Sequence, residues 1–319
     1  MTALLLMLST ASAGELALSF PAEPVRYHGE LLVDSGEAIW MLGRNNLNAR
    51  AKTITAAADF TCRGEESGRG WELDCVVDQI ALEAVPFSEP ERERVDAIMA
   101  EYVELMTFEH VQLSFGGDGH IRTVDVEGVD KNDERAREVH EMLRLLMRRM
   151  FVPFEQQVPR KGTAEVGQKW KHKGNVAALE VFSKYGTIGG TLMKYTVAAD
   201  AGSTVVLTSE GRGTIGASNA GAVAVTGGGS VSGTDQAGNS TSVSETSNQS
   251  GISATGSLYS ATGTGEAHFD SSLGWWSYAQ SVVEADRNQS TPPIRFTHAA
   301  WLGRINPDGS VTRPAPTEE

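Results

Sequence analysis

Cys62 and Cys75 are the only two cysteines in the chain, and the sequence between them dictates how they can meet. The segment reads FTC-RGEESGRG-WELDC. Residues that face each other across a hairpin lie symmetrically about its turn, so this pair requires an even loop centred between Gly68 and Arg69. A two-residue Gly-X loop of the II′ kind satisfies that requirement. The register then sets Ser67 against Gly70, Glu66 against Trp71, Gly64 against Leu73 and Cys62 against Cys75. Counting outward from the hydrogen-bonded closing pair, the cysteines fall on a non-hydrogen-bonded pair. Such pairs hold their Cα atoms about 4.5 Å apart, within disulfide reach. On this register Phe60, Cys62, Trp71, Leu73, Cys75 and Val77 share one face. Thr61, Arg63, Glu72, Asp74 and Asp78 share the other, the alternation of a half-buried antiparallel sheet. After Val77 the phase slips, because Ile80 and Leu82 are apolar, and a bulge near Asp78–Gln79 accounts for it.

A disulfide persists in oxidising compartments, and the start of the chain points the same way. MTALLLMLSTASA carries an apolar run, Ala3 to Leu8, and ends Ala11-Ser12-Ala13, the small-residue pattern of a cleaved export signal. Its start lacks Lys and Arg. No cysteine follows the apolar run, so a lipid anchor on the mature N-terminus is not expected. No later stretch approaches the roughly 20 apolar residues of a membrane-spanning helix. The net charge of −14 argues against nucleic acid and anionic membrane surfaces as partners, since both demand clustered Lys and Arg.

The order of elements predicts a mixed fold. Strands are expected over residues 15–87. Ser88-Glu89-Pro90-Glu91 reads as a capping box with Pro in the first turn. A helix follows whose stripe is Val95, Ile98, Met99, Tyr102 and Met106. Next comes a hairpin turning at Gly116-Gly117-Asp118-Gly119. A second helix is expected from a cap at Asp130, with Val139, Met142, Leu143, Leu146 and Met150 as its stripe and Arg144, Arg148 and Arg149 near its basic end. Pro153 and Pro159 stop it. From Lys161 strands resume, near 177–184, 191–198, 203–209, 265–270, 275–284 and 293–303. The stretch 219–250 is so rich in Gly, Ser and Thr that a mobile loop is expected there. The Trp275-Trp276 pair, in a strand, is expected to send one ring into the core and the other outward or under a helix.

No motif in the chain prescribes chemistry. The seven His fall in no metal-ligand spacing. His140 lies beside the apolar stripe of the second helix and reads as a helix-surface residue. Asp125-Val126-Glu127-Gly128-Val129-Asp130-Lys131-Asn132-Asp133 invites calcium, but a loop starting at Asp130 needs Gly where Arg135 stands. The glycines at 116–119 precede a strand without Lys-Ser/Thr, so they make a turn rather than a phosphate loop. No G-x-S-x-G elbow is present. Sequons at Asn239, Asn248 and Asn288 fall in or near Ser/Thr-rich sequence. No catalytic, cofactor or metal residue is assigned, and Cys62 and Cys75 are the only site residues named.

The exported start, the GDGHIRTVDVEG hairpin, the amphipathic helix with its Pro stop, the Val166-Gly167-Gln168-Lys169-Trp170 turn and the late Gly265-Glu266-Ala267-His268-Phe269-Asp270…Gly274 segment together resemble secreted bacterial β-rich proteins of unknown function. The order of sheet and helices over about residues 25–305 is also similar to the lipoprotein-carrier (LolA/LppX-like) superfamily. That resemblance implies a half-barrel whose concave face, closed by helices, holds lipid acyl chains. It transfers no functional residue, and the Gly/Ser/Thr insertion departs from the family pattern.

The expected fold is therefore α+β: a mainly antiparallel, curved, half-barrel-like sheet with two amphipathic helices packed on it. Residues 1–13 form a signal peptide. A β-rich part with two helices spans 14–160, an antiparallel β part spans 161–305 and a flexible tail spans 306–319. The expected function is that of a non-catalytic periplasmic or extracellular protein binding a lipid or other hydrophobic ligand between sheet and helices, without cofactor. The alternative is a structural or interaction module of the cell envelope, with an envelope-polymer hydrolase third.

Overall fold

The computed structural model describes residues 14–16, 18–19, 23–34, 40–42, 49–68, 70–107, 109–117, 119–127, 134–156, 163–173, 186–201, 203–217, 232–234, 240–242, 259–287 and 295–313. The elements run β1 (Gly14–Glu15), β2 (Val25–Asp34), β3 (Trp40–Leu42), β4 (Ala49–Ser67), β5 (Gly70–Pro86), α1 (Arg92–Met106), β6 (His110–Gly116), β7 (Ile121–Val126), α2 (Glu134–Phe151), β8 (Thr163–Ala164), β9 (Lys169–Lys173), β10 (Gly186–Ala201), β11 (Thr204–Ala217), β12 (Ser232–Thr234), β13 (Ser240–Ser242), β14 (Tyr259–Asp270), β15 (Trp275–Arg287) and β16 (Arg295–Arg304).

Twelve strands form one antiparallel sheet in the order β7-β6-β5-β4-β2-β16-β15-β14-β11-β10-β9, with β3 beside β4. The sheet is open and curved, a half-barrel-like α+β architecture. Its two compositional halves are not separate sheets. β2 pairs with β16 from Asp34↔Thr297 to Tyr27↔Arg304, which joins the acidic first half to the Gly/Ser/Thr-rich second half in one ladder.

The hairpin register follows the alternation of its side chains. Ser67↔Gly70, Glu66↔Trp71, Gly64↔Leu73 and Cys62↔Cys75 are the observed pairs. Gly68 takes φ +61° at the turn, a value that favours glycine. A disulfide joins Cys62 and Cys75, with Cα atoms 4.0 Å apart. The ladder passes from Phe60↔Val77 to Asp59↔Gln79, so Asp78 is the extra residue of the bulge. Thr61 Oγ1 donates to its carboxylate at 2.6 Å.

Both helices lie on one face of the sheet. α1 buries Val95, Ile98, Met99, Tyr102 and Met106 against β5 and β4. α2 packs on β16, β2 and β7 through Leu146, Met147, Met150 and Phe151. The side chains of Val139, Met142 and Leu143, and the Asp130 cap, lie outside the described residues. A 3-10 turn, Val152–Phe154, contains Pro153 and ends the helix. Rings fill the space beneath it. Tyr27 meets Phe154 at 5.1 Å between centroids, Phe60 meets Phe151 at 5.0 Å, and Trp275 meets Phe115 at 5.4 Å and Phe154 at 6.4 Å. Edge-to-face packing of this kind adds to simple burial.

Three sequence expectations are corrected. Ser88 makes no side-chain cap to the helix backbone. Its hydroxyl binds the Glu91 carboxylate, which Arg50 also takes, so a 3-10 turn (Glu89–Glu91) precedes α1. Trp275 and Trp276 are both fully buried. The ladder passes from His268↔Tyr278 to Phe269↔Trp276, and the extra residue, Ser277, sets Trp276 on the opposite face from Tyr278, while Trp275 is buried at the strand end against Phe115 and Phe154. Finally, Asn306–Arg313 is not frayed. Asn306 N–H donates to the Ser310 carbonyl, Thr312 N–H donates to Arg304, and Ile305 bridges Val311.

The signal-peptide segment, the strand expected at 177–184, most of 219–250, the three sequons, residues 128–133 and residues 314–319 lie outside the described residues. Within 219–250, β12 and β13 pair with each other.

Candidate functional site

With both helices on one face, the other face of the sheet is built from the alternate residue of every strand. The ladders place these residues in rows running across the strands. One row is Glu83–Thr55–Leu32–Ala299–Val282. The next is Ala81–Ala57–Glu30–Trp301–Gln280. A third is Asp59–His28–Gly303–Tyr278–His268.

The first two rows line a groove of about 560 Å³ that crosses β5, β4, β2, β16 and β15. Alanines 57, 81 and 299 make its floor, and Leu32, Val282 and Trp301 rise around them. Leu32 remains 37 % exposed. Four strand spacings make the groove about 19 Å long, and two rows make it about 7 Å wide. The alanines are the cause of the depression. Small side chains set between larger ones leave a slot on a surface that is otherwise covered.

A polar and aromatic cluster stands at one side of this groove. Trp301 Nε1 donates to Glu30 at 3.1 Å. The Arg313 guanidinium lies over the Trp301 ring, 4.7 Å from its centroid, and 3.7 Å from Glu30. His28 meets Asp59 at 2.6 Å through Nδ1 and Glu30 at 3.5 Å through Nε2. Tyr278 donates to Gln280 at 3.0 Å, and its ring meets His268 at 5.3 Å. Burial first, and the Glu266 carboxylate second, push the Tyr278 phenol up to about 12. With both ring nitrogens facing carboxylates, His28 is engaged in holding Asp59 and Glu30.

Arg313 reaches Trp301 because Gly303 lacks a side chain. A Cβ at Gly303 would meet the Thr312 carbonyl oxygen at 2.3 Å and Val311 Cγ1 at 3.0 Å. The returning segment lies flat on the sheet only where that atom is missing. Sequence reasoning treated this segment as a tail, so Arg313 was missed. His28, Asp59, Ala57 and Ala81 were missed too. A legible signal was the run Thr53-Ile54-Thr55-Ala56-Ala57-Ala58, whose alternate positions are all small.

Two further depressions lie toward the two ends of the sheet, one between β7 and α2 and one at β9. A polar cleft of about 950 Å³ is bordered by Arg63, Glu72, Asp74, Gln112, Asp125 and the α2 residues His140 and Arg144. His140, expected on the helix surface, holds α2 to the edge strand β7 through the Asp125 carboxylate at 3.0 Å and the Val126 carbonyl at 2.8 Å. A smaller cleft of about 380 Å³ lies at the β9 end. Among the described residues no group of three His, Cys, Asp or Glu is placed to hold a metal ion, and no helix is long and apolar enough to cross a membrane. The sequence matches no protein-family model and no curated protein.

Proposed function

We propose that this protein is exported and binds a hydrophobic ligand without transforming it, and that the ligand is a single linear acyl chain lying in the alanine-floored groove. The groove's shape carries the reading. It is long, about one row-pair wide, apolar along its floor, and bounded by polar groups at the Trp301 side where a head group would sit. Aromatic rings pack the space between α2 and the sheet, which moves the ligand from the helix-covered face expected from sequence to the open one. The Cys62–Cys75 disulfide supports an oxidising compartment. Cleavage after Ala13 would leave the β1–β8 pairing, which begins at Gly14↔Ala164, intact. The resemblance to the lipoprotein-carrier superfamily supports a lipid-type ligand by analogy of architecture alone.

The test is binding of a fluorescent long-chain fatty acid, together with native mass spectrometry of protein purified from its own host. Ala57→Trp and Ala81→Trp fill the floor and should weaken acyl binding tenfold or more with the fold intact by circular dichroism. Wild-type protein that binds no acyl chain by either method would remove this reading.

A further inference from the structure

We propose that the cleft at the β9 end of the sheet is an anion site for a phosphate group. It stands apart from the acyl-binding reading. One strand, β14, lies between Val282 on β15 and the nearer wall of the cleft, Glu210 on β11, which is roughly 10 Å away, and the polar residue Thr264 stands in the row between.

The argument begins with charge placement. Lys169, Lys171 and Lys194 line one cleft with Thr196 and Thr208, and all three lysines are exposed on the same face. Lys171 and Lys194 are directly opposed across β9 and β10. Like charges so placed repel and destabilise the pair. The chain carries a net charge of −14, so carboxylates are abundant. Arginines 50, 92, 295 and 313 each take one within 4.0 Å. Among the described residues, none of the three lysine side chains makes an ion pair or hydrogen bond. Glu210 stands opposite Lys194 and borders the cleft, which leaves two positive charges in excess.

Protection of the sheet edge explains part of this arrangement. Among the described residues β9 ends the sheet, and lysines on an edge strand discourage pairing with another chain. Lys194 does not fit that explanation, because β9 covers its strand at this position. Its ammonium adds repulsion to Lys171 with no edge to guard. A bound anion removes the repulsion, and lysine serves phosphate as a point charge. The hydroxyls of Thr196 and Thr208, opposed on β10 and β11, add donors at the base of the cleft. Its volume suits a phosphate carrying a glycerol-sized substituent.

The source is a free phosphorylated molecule or a lipid head group, and two assays separate them. Glycerol 3-phosphate is titrated calorimetrically into the full chain. Flotation is measured with phosphatidylcholine vesicles, with and without phosphatidylglycerol. Lys171→Gln and Lys194→Gln should each weaken whichever binding is present at least tenfold, while Arg122→Gln, at the far edge of the sheet, leaves it unchanged. Each lysine variant should also melt about 1 °C or more higher without ligand, because a repulsion has gone. Calorimetric binding identifies the free molecule, and flotation alone identifies the head group. Absence of both, binding that the lysine variants retain, or aggregation of the variants with binding unchanged would overturn the proposal.

Discussion

His298 carries a local cost in the described core. It projects from β16 toward α2, is fully buried, and neither ring nitrogen finds a hydrogen-bond partner. Burial first, and the positive charge of Arg149 second, depress its pKa to about 3. The folded state therefore keeps it neutral at pH values where the unfolded chain, with an ordinary value near 6.5, binds a proton. That contribution is neutral above about pH 6.5. Stability falls as pH drops from there toward 3, by about 1.4 kcal/mol at pH 5.5. His298→Leu should lose this part of the acid sensitivity. Urea melts of both proteins at pH 7 and 5.5 measure it, and an unchanged difference between the two pH values would contradict the assignment. Gly303 is the second decisive residue. Gly303→Val should lift Val311–Thr312 from the sheet and free Arg313 from Trp301. The readouts are a change in tryptophan fluorescence and proteolysis near residue 306 with the overall melting temperature little altered.

Among the elements, the β4–β5 hairpin and α1 are the parts most legible in sequence. Each depends on contacts a few residues apart: alternation plus a turn glycine in one, a 3.6-residue stripe in the other. The disulfide closes a loop of about 14 residues, so Cys62→Ala/Cys75→Ala should lose about 3 kcal/mol in urea unfolding. Met106→Ala, at the buried end of α1, should cost about 2–5 kcal/mol by the same measurement. The expectations that failed depended on something beyond the element. Ser88 was drawn from its capping role by a carboxylate shared with Arg50, which lies in another strand. Trp276 turned inward because of one extra residue, Ser277, whose effect appears only when β15 is paired with β14.

At the scale of the whole molecule, the β2–β16 ladder makes one sheet of two unlike halves. The change of composition near residue 160 follows what each half is made of, whereas the ladder pairs residues some 270 positions apart. Amides in the centres of β4 and β15 should therefore exchange with solvent through the same global opening. Native-state hydrogen exchange would report a common free energy for both, and two separate values would divide the molecule at that ladder.

The Cys62–Cys75 hairpin, the fold class and the apolar stripe of α1 were determined by sequence alone, because alternation, turn chemistry and helical period act over a few residues. The groove, the Trp301–Glu30–Arg313 cluster and the opposed lysines were decided by tertiary structure. Alanines 57, 81 and 299 become one floor only after four strands, β5, β4, β2 and β16, are set side by side, and Arg313 meets Trp301 only because a glycine lets the chain fold back. Local pattern specifies which face a residue takes; the order of strands specifies which residues share it.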